Sequence, residues 1–222
     1  MKNSFDVDAA AAAAQKSALR RVFYARRREA LENDPQLNFR LGAVLVQWLE
    51  TIFGNRESTC VGFYRPIRHE PDVTAALSAW AASASGRTLA VPVVDESAKG
   101  LMHYARWSPQ MPMKAGAYGI AEPAVDERLE PDVIVSPCVA VTRAGMRLGN
   151  GGGYFDRYLA LRQALGRTPA ATVALALEAT VIDEAADKAA EGGLAPQDFD
   201  IAFDWVATEA GVVRAGSGRK KN

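Results

Sequence analysis

The chain has little of what many functions require. It carries only two cysteines, Cys60 and Cys138, far apart and in no metal-ligand spacing. A disulfide framework is excluded, and a reducing compartment is expected. Two histidines, His69 and His103, give no basis for a histidine-rich metal centre. An excess of one charge is also missing: 26 Lys and Arg face 26 Asp and Glu. No global field therefore points to nucleic acid or to an anionic membrane surface. No apolar run approaches the ~20 residues needed to span a bilayer. Met1 to Gln15 has Asp6 and Asp8 ahead of a short alanine run, unlike a secretory signal. A soluble, cytoplasmic protein with neither membrane nor nucleic-acid partner is expected.

What is present suits one well-buried core: 222 residues, 49% apolar and 23% charged. Ala9 to Glu32 contains no Gly or Pro and is rich in helix formers. After Pro35, the residues Leu41, Val44, Leu45, Trp48, Leu49 and Ile52 recur at helical spacing, and Gly54 ends the run. Beyond it the pattern alternates. Strands are predicted over 59–64, 89–94, 102–107, 132–135, 139–141, 171–177 and 205–208, with helices over 72–84 and 154–165. This alternation predicts an α/β fold: a single domain over 9–210, with a largely parallel sheet flanked by helices. Residues 1–8 and 211–222 read as disordered ends.

The most informative stretch is Arg147-Leu148-Gly149-Asn150-Gly151-Gly152-Gly153-Tyr154-Phe155-Asp156-Arg157. Four glycines in five positions let several backbone N–H groups converge on one anion, and the helix expected after them adds its positive end. Arg147 supplies a planar cation for phosphate oxygens, and Asp156 a carboxylate for a Mg²⁺ ion bridging them. The loop is not a Walker A motif, because no Gly-Lys-Ser/Thr follows. Nor is it a dinucleotide fingerprint, since Tyr154 stands where the third glycine belongs. A flexible surface turn is the bland alternative; an ATP phosphate clamp of another type fits better.

The same stretch resembles the signature Arg-Leu-Gly-x-Gly-x-Gly-Tyr-Tyr-Asp of the 5-formyltetrahydrofolate cyclo-ligase family. Further segments resemble that family in order: Lys16-Ser-Ala-Leu-Arg20, Tyr64 to Glu70, Leu89-Ala-Val-Pro92, Tyr118 to Pro123, Asp132 to Pro137 with Gly145, and Asp200 to Glu209. The resemblance covers about residues 14–210. It implies a Rossmann-like scaffold of the sugar-phosphate isomerase and CoA-transferase type. It also implies ATP- and Mg²⁺-dependent cyclisation of 5-formyltetrahydrofolate to 5,10-methenyltetrahydrofolate. The partners implied are small molecules, 5-formyltetrahydrofolate and ATP; a monomer is expected, with a dimer as the alternative. A weakened folate- or nucleotide-binding protein on the same fold is the alternative.

Residue by residue, the resemblance assigns ATP contacts to Lys16, Ser17, Ala18, Leu19 and Arg20, and to Arg147, Leu148, Gly149, Asn150, Gly151, Gly152, Gly153, Tyr154 and Phe155. Folate contacts fall on Glu70, Arg65 and the loop from Asn150 to Tyr154. Mg²⁺ ligands fall on Asp156 and Asp200, and catalytic roles on Arg147, Lys16 and Asp156. Alternatives stay open at several places. Asp198 and Asp204 stand close enough to Asp200 to replace it, and Arg65 and Lys114 also read as surface residues. Arg21, Arg26, Arg27 and Arg28 read as a solvated basic face. Tyr154 either stacks on the pterin or packs on the loop, while Trp80 and Trp107 read as core. Three positions depart from the family pattern. Asn150 replaces a basic residue, Phe155 a tyrosine, and Thr142 an aspartate.

Overall fold

Successive side chains of Val133, Ile134 and Val135 leave their strand on opposite faces, and all three are buried. Only a strand covered by helices on both sides needs such a continuous apolar run. The computed structural model describes residues 4–95, 97, 100–183, 194, 197 and 199–216. Two helices lead, α1 (Ser4–Asn33) and α2 (Leu37–Phe53). Strand β1 (Thr59–Gly62), helix α3 (Thr74–Ala82) and strands β2 (Arg87–Asp95) and β3 (Leu101–Trp107) follow. Next come a small hairpin, β4 (Met113–Ala115) and β5 (Ala121–Pro123), then β6 (Arg128–Leu129), β7 (Val133–Pro137), β8 (Ala140–Thr142) and β9 (Arg147–Leu148). Helix α4 (Tyr154–Ala164) precedes β10 (Ala171–Leu175), β11 (Val181–Ile182), β12 (Trp205–Thr208) and β13 (Gly211–Arg214).

Eight strands form the main sheet in the order β13-β12-β10-β7-β1-β2-β3-β6. The five central strands, from β12 to β2, are parallel; β13, β3 and β6 extend the edges antiparallel. Leu41, Leu45 and Leu49 of α2 pack with Val61, Val91, Val133 and Val173 on one face. Each such buried leucine contributes about 2 kcal/mol. Helices α2 and α3 approach closely at Gly42, where an added Cβ would lie 2.6 Å from the Cβ of Ala76. On the other face, Tyr158 and Leu159 of α4 cover Tyr104, Ile134, Ala174 and Val206. A third cluster joins Leu19 and Phe23 of α1 to Val139, Ala140, Leu148 and Ile182.

The expected α/β architecture is present, with two differences at the ends. Helix α1 begins at Ser4, ahead of the expected Ala9. Gly211–Arg214, expected to be disordered, is an edge strand whose Val212 and Val213 pair with Ala207 and Val206. It satisfies the otherwise open edge of β12, which is the physical reason for it to order. Residues 1–3 and 217–222, also expected to be disordered, lie outside the described residues.

The chain leaves β1 toward β2 on one side, and later returns as β7 on the other. A parallel sheet opens a crevice at such a reversal, beyond the carboxyl ends of the two strands. The segments leaving β1 and β7 carry most of the residues described next.

Candidate nucleotide and folate site

The glycine-rich loop is anchored at its entrance by a tight turn. Strands β8 and β9 pair through Val141 with Arg147 and Ala140 with Leu148. Gly145 closes the turn between them at φ +83°, and an added Cβ would lie 2.2 Å from the Phe203 carbonyl. Thr142 keeps the turn stapled, its Oγ1 accepting the Met146 N–H at 3.2 Å. The departure at Thr142 therefore preserves a side-chain acceptor.

Gly151 and Gly153 hold left-handed conformations at φ +105° and +64°, and Gly153 caps the N-terminus of α4. The loop is thus delivered to the positive end of an eleven-residue helix, as expected for an anion cradle. Arg20 Nε donates to the Gly149 carbonyl at 2.8 Å, and Arg157 reaches the Gly152 carbonyl.

Helix α1 supplies the opposite wall. At about 100° per residue, Lys16, Arg20, Tyr24 and Arg27 share one stripe, beside the apolar stripe of Leu19 and Phe23 that docks the helix. Leu19 is fully buried, so its side chain serves that docking, while Ser17 faces solvent. Lys16 Nζ donates to Asp200 Oδ2 at 2.6 Å and to Gln197 Oε1 at 2.9 Å. Arg147 Nη2 donates to Asp156 Oδ2 at 2.7 Å, between the rings of Phe155 and Phe203 at 5.2 and 5.3 Å. Phe155 also packs against the buried apolar clusters, so the missing tyrosine hydroxyl leaves an apolar ring beside the guanidinium.

Asp156 reaches the segment that carries Asp200: its Oδ1 accepts the N–H of Ile201, the next residue after Asp200, at 3.5 Å. Both carboxylates are mostly shielded, with side chains 17% and 16% exposed. Asp204 has another task, its Oδ2 accepting the Thr172 N–H and Oγ1 at 2.9 and 2.7 Å. Asp198 lies outside the described residues. Two carboxylates of this kind are a donor set that suits a hard divalent ion, which keeps several waters. Among the described residues no group of three or more His, Cys, Asp or Glu converges on one point.

Glu70 is buried, its Oε2 accepting the Ile67 N–H at 3.0 Å and its Oε1 the Asn150 side-chain N–H at 2.8 Å. Burial pushes its carboxyl pKa up, opposed by those two hydrogen bonds and by Arg27 and Arg68. Asn150 also accepts from the Tyr24 hydroxyl at 2.6 Å, so the residue in place of a basic one joins helix, loop and Glu70. Tyr154 shares a 2.5 Å hydrogen bond with the hydroxyl of Tyr118, which raises its phenol pKa. Tyr118 stands at the tip of the β4–β5 hairpin with φ +57°, a strained conformation that brings it over the loop.

Two candidates lie elsewhere. Arg65 turns to the ring of Trp107, 5.4 Å away, and lines a cavity of about 500 Å³ with Asp72, Ser78 and Met113. Lys114 pairs with Glu122 at 3.4 Å on the exposed hairpin. Trp80 and Trp107 are core residues, as expected. Arg27 was grouped with a solvated basic face, and there the structure differs. Its side chain is wholly buried, with Nη1 and Nη2 donating to the Cys138 and Arg68 carbonyls at 3.2 and 2.6 Å. Its helical register with Lys16 and Arg20 is the signal that marks it.

Two curated relatives are both named 5-formyltetrahydrofolate cyclo-ligase. One, from Haemophilus influenzae, is 36% identical over 74 residues, 31% of this chain and 40% of the relative. The other, from Mycolicibacterium smegmatis, is 31% identical over 119 residues, 50% of this chain and 59% of the relative. The chain thus spans roughly half the length of the curated relatives it matches, 40% and 59%. Among solved structures, a 5,10-methenyltetrahydrofolate synthetase from Aquifex aeolicus superposes with a TM-score of 0.67 at 28% identity, covering 93% of this chain and 96% of that one. A synthetase of the same name from Mycoplasma pneumoniae, 17% identical, shares the fold with a TM-score of 0.60 over 86% of this chain and 97% of its own. The family model described as 5-formyltetrahydrofolate cyclo-ligase family matches residues 12–186, which include most of α1 and the whole glycine-rich loop but stop short of Asp200. On that match, the chain belongs to the 5-formyltetrahydrofolate cyclo-ligase family.

Proposed function

We propose that the protein uses ATP to cyclise 5-formyltetrahydrofolate to 5,10-methenyltetrahydrofolate, releasing ADP and phosphate. The observation that carries this reading is a pair of ion pairs, Lys16 with Asp200 and Arg147 with Asp156, flanking a cradle of backbone amides. Each couples a cation suited to phosphate with a carboxylate suited to a divalent ion. A nucleotide–metal pair would take both halves at once: phosphates to Lys16, Arg147 and the loop amides, metal to Asp156 and Asp200. Mg²⁺ held there would neutralise phosphate charge and lower the barrier to attack at phosphorus.

The substrate's N5-formyl oxygen attacks the terminal phosphorus, and ADP departs with the electrons of the broken P–O bond. The nitrogen at N10 then attacks the activated formyl carbon, loses its proton, and phosphate leaves. Both steps need placement more than a covalent nucleophile, because ring closure is intramolecular. Glu70 is suited to the adjacent N–H donors of the pterin edge, and Tyr154 to its face. We place Arg65 outside the pterin contacts. We place the enzyme in the cytoplasm, acting on two small molecules; the free thiols of Cys60 and Cys138 support a reducing compartment.

The test mixes the purified protein with 5-formyltetrahydrofolate and Mg-ATP, following the methenyl chromophore and ADP together. Equimolar appearance of both is expected. Asp156→Ala should abolish turnover while calorimetry still records folate binding. Ligand binding without chromophore in the unsubstituted protein would overturn the reaction in favour of a binding protein. Unchanged turnover in Asp156→Ala would remove that carboxylate from it.

A further inference from the structure

Arg27 is, among the described residues, the largest side chain sealed completely from solvent, and no role given above uses it. A sealed guanidinium is expensive to keep unless the groups it bonds repay it. Two of its nitrogens donate to different segments, while the buried Nε has no hydrogen-bond partner among the described residues. Nη1 meets the carbonyl of Cys138, just beyond the end of β7; Nη2 meets the carbonyl of Arg68, in the segment that leaves β1. The guanidinium therefore bridges the two sides of the crevice, with the Tyr24 ring 5.2 Å away.

The Arg68 side of this bridge is unusual. Arg68 and His69 lie at φ +49° and +61°, two consecutive non-glycine residues in the left-handed region. Such a turn is unfavourable for L-residues and persists only where surroundings hold it. The residue it delivers is Glu70, whose own N–H closes the turn on the Ile67 carbonyl at 2.8 Å. Glu70 then reaches across to Asn150 in the glycine-rich loop.

We propose that Arg27 is a positioning residue that pins the strained Arg68–His69 turn to the end of β7 and so aims the Glu70 carboxylate at the folate. The proposal rests on the reading of Glu70 as a pterin contact. A purely structural Arg27 would affect melting and every ligand alike. A positioning Arg27 acts on folate through Glu70 and leaves the nucleotide half of the site alone.

The experiment uses the full chain and calorimetric Kd values for 5-formyltetrahydrofolate and for Mg-ATP. The variants are Glu70→Gln, Arg27→Gln, Arg27→Lys and the Arg27→Gln/Glu70→Gln double variant. Glu70→Gln should weaken folate binding about tenfold or more, the loss of one charge-assisted contact. Arg27→Gln should weaken it by a similar factor, with the Mg-ATP Kd within about twofold, and the double variant should be no worse than Glu70→Gln alone. Arg27→Lys keeps the charge without the fork and should fall between. If Arg27→Gln does not fold, Arg27→Lys alone and with Glu70→Gln carries the same two comparisons. Folate affinity unchanged in the Arg27 variants, or losses that multiply in the double variant, would overturn the proposal. Unchanged folate affinity in Glu70→Gln would instead overturn the reading of Glu70.

Discussion

At the scale of single residues, the site separates two neighbouring aspartates that composition alone leaves equivalent. Asp200 faces Lys16 and precedes Ile201, whose N–H bonds Asp156, whereas Asp204 ties β10 to the start of β12 through Thr172. Asp200→Asn should lower turnover at saturating folate by about a hundredfold or more, with cooperative unfolding retained. Asp204→Ala should instead cost about 1–2 kcal/mol of stability while turnover survives below the melting point. Parallel kinetics and denaturant titrations check both, and the reverse pattern would exchange the two roles. The residues of the loop signature were legible because glycines, a cation and a carboxylate lie within one short run. Arg27 was not, since a row of arginines looks like a solvated face until helical register is applied. Arg65 adjoins the Glu70 turn in sequence, but adjacency alone could not say that its guanidinium faces the ring of Trp107.

Elements were read from periodicity, and those without enough residues to show a period escaped. The β4–β5 hairpin, β6, β9 and β11 are two or three residues long, so no alternation could declare them. Yet β9 is what sets the loop's entrance, through a turn that only glycine tolerates at 145. Gly145→Ala should destabilise the fold by about 2–4 kcal/mol, from left-handed strain plus the collision with the Phe203 carbonyl. It should also weaken Mg-ATP binding, because Phe203 follows directly on the Asp200 segment. Gly166 provides the control. It too has a left-handed φ, +65°, but an added Cβ meets no atom within 4 Å. Gly166→Asn should change stability by no more than about 0.5 kcal/mol. Equal losses in the two variants by urea titration would show that close packing at Gly145 has no special weight.

For the whole molecule, the central parallel strands and their flanking helices were foreseeable from apolar runs alternating with helical ones. The edge strand β13 was not, because glycines and charges around it resemble a loose tail. Burial on this scale also governs the thiols. Cys60 and Cys138 are pushed up to about 12, chiefly by removal from water. At pH 8 only about one thiol in 10⁴ is then ionised, so native protein should resist iodoacetamide and react only on unfolding. Rapid alkylation of both in the native state would refute this burial. Because the folded pKa values are raised, this contribution to stability is complete below the ordinary thiol range near 9. It is lost as pH climbs through about 12.

One contact bears on how such a molecule is made. Lys16 and Asp200 meet although they stand 184 positions apart in sequence. At ordinary translation speeds, about 10–40 s separate their emergence from the ribosome. Throughout that interval Lys16 waits without this carboxylate, and a nascent or prematurely ended chain holds only half of the proposed nucleotide grip. On the function proposed above, competence to spend ATP would arrive late in synthesis, when the two remote stretches of polypeptide close on each other.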